Sequence, residues 1–247
     1  NIGNYFNIFL SVASAAAVVC LILGSVSYIR YIDRQQITYL EASTSYGERK
    51  EIRLPDGTQL ILNSCSRVCY PDRFADKERR VELEGEGYFR VYHNEKQPFI
   101  VNTRHFDVRV LGTCFNVKSY SSDEVVSVDV ESGKVQVDLP EAMMRLRAKE
   151  QILINTVSGE YNKRYEERAV AVWRRGSLRF NSTPIRDVAK ELERMYNCRI
   201  TFTQGQEFNN LISGEHDNKS LEAVLQSIGY TSGIHYKRSG DQVLLYK

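Results

Sequence analysis

Carboxylates, cysteines, histidines and aromatic side chains are the groups in this sequence that could do chemistry, and their spacing decides whether they would. Asp56, Glu82, Glu84 and Glu86 could supply the acid and base of a glycoside hydrolase. Glu82, Glu84 and Glu86, however, alternate with Val81, Leu83 and Gly85, the period-two pattern of a strand with one solvated face. Gly85-Glu86-Gly87 resembles part of a phosphate-cradling loop, but neither the helix nor the lysine of such a loop follows, so a hairpin turn is expected there. Cys65 and Cys69 are four residues apart in what reads as extended chain. That separation is too long for a disulfide unless the chain bends between them, and reduced core thiols are expected. His93, His105, His216 and His235 are scattered without the spacing of metal ligands. Tyr88, Phe89 and Tyr92 could stack on sugar rings, yet aromatics in strands are more often core or cross-strand residues. A nucleophile elbow, a phosphate loop and a metalloprotease helix motif are absent. The expectation is a protein that is not an enzyme, with no catalytic residue, no cofactor and no metal.

The elements that would have to position any site read as follows. A length of 247 residues suits two modest domains with connecting segments. The formal net charge is +2 and the basic residues are spread along the chain, which argues against a nucleic-acid partner. The first residue is Asn1, with no initiator methionine before it, from which a missing natural amino-terminal portion is expected. Residues 1–29 carry no charge, and Ile8 to Ile29 are mostly apolar. Roughly 20 helical residues cross about 30 Å of hydrocarbon, so residues 1–30 are expected to form one transmembrane helix. A cleaved signal peptide, the competing reading, would need a basic start and a shorter apolar core.

Residues 31–50 are polar, with Ser43, Thr44, Ser45 and Gly47, and read as a juxtamembrane linker. Residues 51–139 carry short alternating segments broken by Pro55-Asp56-Gly57, Glu84-Gly85-Glu86-Gly87 and Ser132-Gly133, the signature of an all-β domain. Two packed sheets or a short coil of stacked strands would both bury them. Residues 140–172 read as a charged connector with a hairpin around Ser158-Gly159. In residues 173–247, Ile185, Val188, Ala189 and Leu192 repeat at helical spacing, with Thr183 as the expected cap and Pro184 at the first helical position. Leu221, Val224, Leu225 and Ile228 repeat that spacing, with Gly229 as the expected stop. Alternating strands flank both, which predicts a small α+β domain of two βαβ-like units with the helices on one face of a sheet.

Taken together these residues resemble a known family, the FecR-type transmembrane regulators, in the form common in Bacteroidota. The resemblance runs through Leu54-Pro55-Asp56-Gly57-Thr58, Arg80-Val81-Glu82-Leu83-Glu84-Gly85-Glu86-Gly87-Tyr88-Phe89, Pro98-Phe99-Ile100-Val101-Asn102-Thr103, Val110-Leu111-Gly112-Thr113-Cys114-Phe115-Asn116-Val117 and Ser132-Gly133-Lys134-Val135. The tail is similar to the family's carboxyl-terminal domain, a relative of the short signalling domain of secretins and TonB-dependent receptors, through Trp173, Gly176-Ser177-Leu178-Arg179-Phe180, Pro184-Ile185 and Tyr196-Asn197. The resemblance implies an anti-sigma regulator in the inner membrane, with the residues after about 30 in the periplasm. It would relay a signal from an outer-membrane TonB-dependent receptor to an extracytoplasmic-function sigma factor and so control iron or glycan uptake genes. The sigma factor would be bound by a cytoplasmic domain outside this chain, and periplasmic and intramembrane proteases are further expected partners. Docking of the receptor's signalling domain is expected on the last hairpin, at Ile234, Tyr236, Leu244 and Tyr246, because an exposed sheet edge can accept a partner strand. The rival expectation is a membrane-tethered periplasmic binding or envelope-assembly module.

Overall fold

The computed structural model describes residues 19–28, 37–75, 77–216 and 219–247, which fall into two compact units, 1–38 and 39–247. In the first, residues 19–28 are helical and exposed. Among the described residues no helix is long and apolar enough to cross a membrane. The remainder of the expected span, residues 1–18 and 29–30, and residues 31–36 of the expected linker lie outside the described residues.

Residues 39–50, read from sequence as linker, belong to the fold. Strand β1 (Tyr39–Ser43) pairs antiparallel with β4 (Arg67–Pro71), and Ala42 and Thr44 are buried. Ala42 is the one buried side chain of β1, too little apolar signal to distinguish an edge strand from a tether. The other strands of this part are β2 (Lys50–Arg53), β3 (Gln59–Leu62), β5 (Arg79–Arg90), β6 (Phe99–Asn102), β7 (Asp107–Val110), β8 (Cys114–Ser119), β9 (Val125–Ser132), β10 (Lys134–Asp138), β11 (Met143–Arg147), β12 (Glu150–Asn155) and β13 (Tyr161–Tyr165). They form one curled sheet that folds over itself as two layers. The layer β1-β4-β5-β6-β7-β10-β11 faces the layer β2-β3-β5-β8-β9-β12-β13, and β5 belongs to both. The expected connector therefore contributes three strands, β11, β12 and β13, to the sheet.

Residues 84–87, expected to be a turn, lie inside the single strand β5. Its first half pairs with β4 and, in parallel, with β6; its second half pairs with β3 and β8. The crossing occurs at Gly85, whose φ is +107° and whose missing side chain leaves room for Ser66, 2.5–2.7 Å from where a Cβ would stand. A strand glycine here marks a corner, not a stop. Between the layers Phe89 stacks on Phe115 at 5.3 Å and meets Phe99 at 6.1 Å, at the centre of a core that includes Leu60, Val81, Val108, Val128 and Ile152. Arg79 is also enclosed. Its guanidinium holds Asp56 at 2.8 Å and donates to the carbonyls of Gln97, Tyr92 and Leu111, so the buried charge is paired and hydrogen-bonded.

After a 3-10 turn (Val172–Arg175) come β14 (Leu178–Pro184), helix α1 (Ile185–Tyr196), β15 (Arg199–Phe202), β16 (Leu211–His216), helix α2 (Leu221–Ser232), β17 (His235–Ser239) and β18 (Gln242–Tyr246). The element order is the expected strand–helix–strand repeated, but the pairing crosses between the repeats. Antiparallel β14–β16 is a two-stranded sheet, and β15-β18-β17 is a second sheet with β15–β18 parallel. The helices contact both sheets instead of covering one face of a single sheet. The apolar stripes Ile185, Val188, Ala189, Leu192 and Leu221, Val224, Leu225, Ile228 fill one core with Phe180, Ile212, Ile200, Val243 and Leu245; each large aliphatic side chain so enclosed contributes about 1.5–3 kcal/mol. Two helix ends differ from expectation. The amino-terminal cap of α1 is Pro184, without a side-chain bond, because β14 runs through Thr183. Helix α2 continues past Gly229 and ends at Gly233, φ +71°.

Candidate functional site

The last hairpin divides the four residues expected to bind a partner. Ile234 is 2% exposed and belongs to the core, and Tyr236 packs against that core. Leu244 and Tyr246, each 38% exposed, alternate onto the opposite face. There Lys237 and Thr201 flank Leu244 and His235 lies across from Tyr246 in the strand register, the two rings 5.5 Å apart. Strand β17 is an outer strand of its sheet, with its far side open. The hairpin thus offers an exposed face carrying Leu244 and Tyr246 beside a free backbone edge.

A second constellation was missed in the sequence. One face of α1 carries Asp187, Lys190, Glu191 and Arg194, and all four meet the β layers. Arg194 grips Asp123 with two bonds of 2.9 Å, the Asp123 side chain being fully enclosed and that of Arg194 10% exposed. The guanidinium also stands 3.7 Å over the Tyr120 ring, whose hydroxyl donates to the Ser64 carbonyl at 2.7 Å. Glu191 pairs with Lys118. Asp187 accepts from the backbone N–H groups of Glu124 and Val125 at 3.0 and 2.9 Å, and Lys190 reaches both Asp187 and the Ser122 carbonyl. Burial opposes the charge on Lys118, yet Glu191, Asp123 and Glu86 hold it above the ordinary lysine range. The sequence signal was present in principle, since polar helix positions 187, 190, 191 and 194 share one face by their spacing. A charged helix face ordinarily means solvent, and only the tertiary structure places Lys118 and Asp123 against it.

Glu86, expected on a solvated face, is buried at this joint. The corner at Gly85 breaks the alternation that Glu82 and Glu84 obey, and turns Glu86 inward to accept from Asn63 and Asn116 at 2.8 and 2.9 Å. Burial pushes its carboxyl up, against the pull of Lys118. Asn116 in turn accepts from the Trp173 indole at 3.2 Å, which fixes the start of the C-terminal domain. Asp56 is bound to Arg79 and to Thr58. The candidate acid/base carboxylates are thus separately engaged or, like Glu82 and Glu84, exposed. Among the described residues no group of three or more histidine, cysteine or acidic side chains could hold a metal, and Cys65, Cys69, Cys114 and Cys198 are free thiols.

Beside the joint, a cleft of about 620 Å³ opens between β8, β9, β12, β13 and the C-terminal domain, bordered by Asp129, Gln151, Tyr161, Arg164, Trp173 and Arg179. Asp129 accepts from Ser127 at 3.1 Å and from Gln151, and burial pushes its carboxyl up to about 6. The folded protein then holds this proton more tightly than the unfolded chain, where the value is the ordinary 3.8. Its contribution to stability is therefore full below about pH 4 and is lost as pH rises through about 6, a decline of roughly 2–3 kcal/mol. Urea unfolding at pH 4.5 and 7.0 is expected to show Asp129→Asn gaining on the parent by about 2 kcal/mol at the higher pH. A constant difference across that range would contradict this assignment.

Comparison with known proteins agrees with the fold. The family model described as FecR protein matches residues 41–136, and that described as FecR, C-terminal matches residues 177–245. Two crystal structures of a protein designated an anti-sigma factor, from Parabacteroides distasonis ATCC 8503, at 2.50 and 1.65 Å, are similar to this chain. The identities are 47% and 48% and the TM-scores 0.82 and 0.81; the matches cover 85% and 84% of this chain and 99% of each of those. No curated protein matches.

Proposed function

We infer the function from one premise, that the chain belongs to the FecR family of anti-sigma factors: it is a single-pass regulator that receives a signal from an outer-membrane TonB-dependent receptor and passes it to an extracytoplasmic-function sigma factor. The family role is regulatory, not catalytic. In this reading the apolar segment within residues 1–30 anchors the chain in the inner membrane, residues after about 30 stand in the periplasm, and the sigma factor meets a cytoplasmic domain outside this sequence. Uptake genes for iron or glycans are the target, and periplasmic and intramembrane proteases act on the segment between anchor and fold.

The observation that carries the reading is the outer face of the β15-β18-β17 sheet. Leu244 and Tyr246 are exposed there beside the free edge of β17, where a partner strand can add by main-chain hydrogen bonds and take specificity from alternate side chains. The test is a pull-down of residues 31–247 with the amino-terminal signalling domain of the cognate receptor. Saturable binding, lost on deleting residues 173–247, is the expected result; no binding with both partners folded would refute it. Because a few central apolar residues dominate most interfaces, the double substitution Leu244→Glu and Tyr246→Glu is expected to weaken binding at least about tenfold while leaving the melting temperature unchanged. Unchanged affinity would move the docking surface elsewhere.

One observation favours a second reading, a tethered periplasmic binding or envelope-assembly module. The 620 Å³ cleft lies at a domain boundary and has the size of a ligand site. Binding of a glycan or peptide to the cleft, in a chain that ignores the receptor domain, would select it.

A further inference from the structure

Between β1 and β2, residues 44–49 form a loop that reaches the C-terminal domain directly. The N–H of Gly47 donates to the carbonyl of Arg194 at 2.8 Å, and a Cβ at Gly47, φ +68°, would stand 3.3 Å from the Met195 carbonyl, so α1 and the loop are in close backbone contact. On the other side the loop is tied to the β layers. Thr44 donates to the Asn63 carbonyl at 2.5 Å and accepts from Ser66 N–H at 3.0 Å, and Ser64 donates to the Glu48 carbonyl at 3.2 Å. The Arg49 Nε is buried without a partner, beside a small cavity bordered by Glu86, Glu191, Arg194 and Met195. Arg194 thus has two roles: its carbonyl holds the loop and its side chain holds Asp123.

We propose that Arg194 is a positioning residue that couples the C-terminal domain to the loop 44–49, so that release of the Asp123–Arg194 pair frees the loop and with it the inner end of β1. This contact offers a short route. The covalent path from β1 to α1 runs through the twelve other strands of the β part and then β14, whereas the route through Arg194 is one residue long. The coupling has an electrostatic basis. Asp123 is fully enclosed, its other cation, Lys118, stands 3.9 Å away, and opening the pair takes from an enclosed carboxylate its two-bond partner, at a high cost. If the C-terminal domain receives the signal as proposed above, this contact hands it to the strand that follows the apolar segment in the chain.

The measurement is amide hydrogen exchange on the 247-residue chain, without any receptor, so its result is independent of whether the receptor reading holds. Three variants are compared with the parent: Asp123→Asn, Gly47→Ala, and a chain nicked at a protease site inserted after Ser158, in the hairpin tip where Val157 is 83% exposed. Asp123→Asn is expected to raise exchange at residues 45–49 about tenfold or more while β5 stays protected. By reciprocity, Gly47→Ala, which alters neither residue of the ion pair, raises exchange in the last turn of α1. The nicked chain behaves as the parent. Continued protection of 45–49 in Asp123→Asn, or release of 45–49 by the nick alone, overturns the proposal. Should Asp123→Asn fail to fold, Arg194→Lys, which keeps the charge but not the two-bond grip, carries the same expectation.

Discussion

Replacing Asp123 by alanine is expected to cost about 3–5 kcal/mol, because it leaves the Arg194 guanidinium enclosed without its counter-charge. For a chain of this size that corresponds to a fall of about 10 °C in melting temperature, at roughly 2–4 °C per kcal/mol. The loss is expected in the C-terminal domain first, since α1 carries that domain's half of the ionic joint. Thermal unfolding followed by far-UV circular dichroism measures it. The double variant Asp123→Ala with Arg194→Met is expected to recover much of the loss, because removing both charges removes the cost of stranding one. A single-variant cost below about 1 kcal/mol, the value of an exposed pair, would mean that water reaches the joint and that the enclosure described here is wrong.

Substituting Gly85 by alanine is expected to be comparably severe for a different reason. The backbone there has φ +107°, a conformation that a residue with a Cβ adopts at a cost of about 1–3 kcal/mol. The added methyl would also lie 2.5 Å from Ser66 Oγ and 2.7 Å from its Cα, an overlap with backbone worth roughly a further 1–3 kcal/mol. Because β5 is the one strand common to both layers, neither layer escapes the displacement. Gly57→Ala is the control: φ is +87° with nothing within 4 Å, so only the conformational part of the cost remains, about 1 kcal/mol or slightly more. Chemical denaturation of the two variants side by side separates strain from collision. Equal losses would show that the corner at Gly85 relaxes freely.

What could be read in the sequence and what could not follows from the range of the forces involved. The stripes Ile185, Val188, Ala189, Leu192 and Leu221, Val224, Leu225, Ile228 are local records of a helix facing a core, and all eight side chains are buried. The all-β pattern of residues 51–139, which includes strands such as Phe99–Asn102 and Lys134–Asp138, was readable from alternation. Gly85 misled because a glycine between glutamates has the same composition in a turn and at a strand corner; what separates them is Ser66, nineteen residues earlier, occupying the empty space. Strand β1 was missed because an edge strand with one inward side chain is compositionally a linker. The pairing of β14 with β16 and of β15 with β18 was missed because both repeats carry the same local pattern, and only the joint packing of two helices selects crossed partners. Of the site, the last hairpin was legible as an element, but not which of Ile234, Tyr236, Leu244 and Tyr246 face outward, and the ionic joint was not, because its two halves, 118–124 and 187–194, are brought together by the fold alone.

The strand order of the C-terminal domain bears on how the chain is made. Strand β18, last in sequence among the described strands, is not at the border of its sheet but in the middle, with β15 on one side and β17 on the other. A nascent chain that has emerged only as far as Ser239 has both neighbours and no centre, so α1 and α2 stay without the Val243 and Leu245 they pack against. Folding of this domain must wait for synthesis to reach Tyr246, and loss of residues 242–246 would unzip two pairings at once. The arrangement makes synthesis through β18 a condition for folding of this domain, so a product ended before Gln242 would carry an unfolded tail that quality-control proteases can recognise, not a half-active regulator.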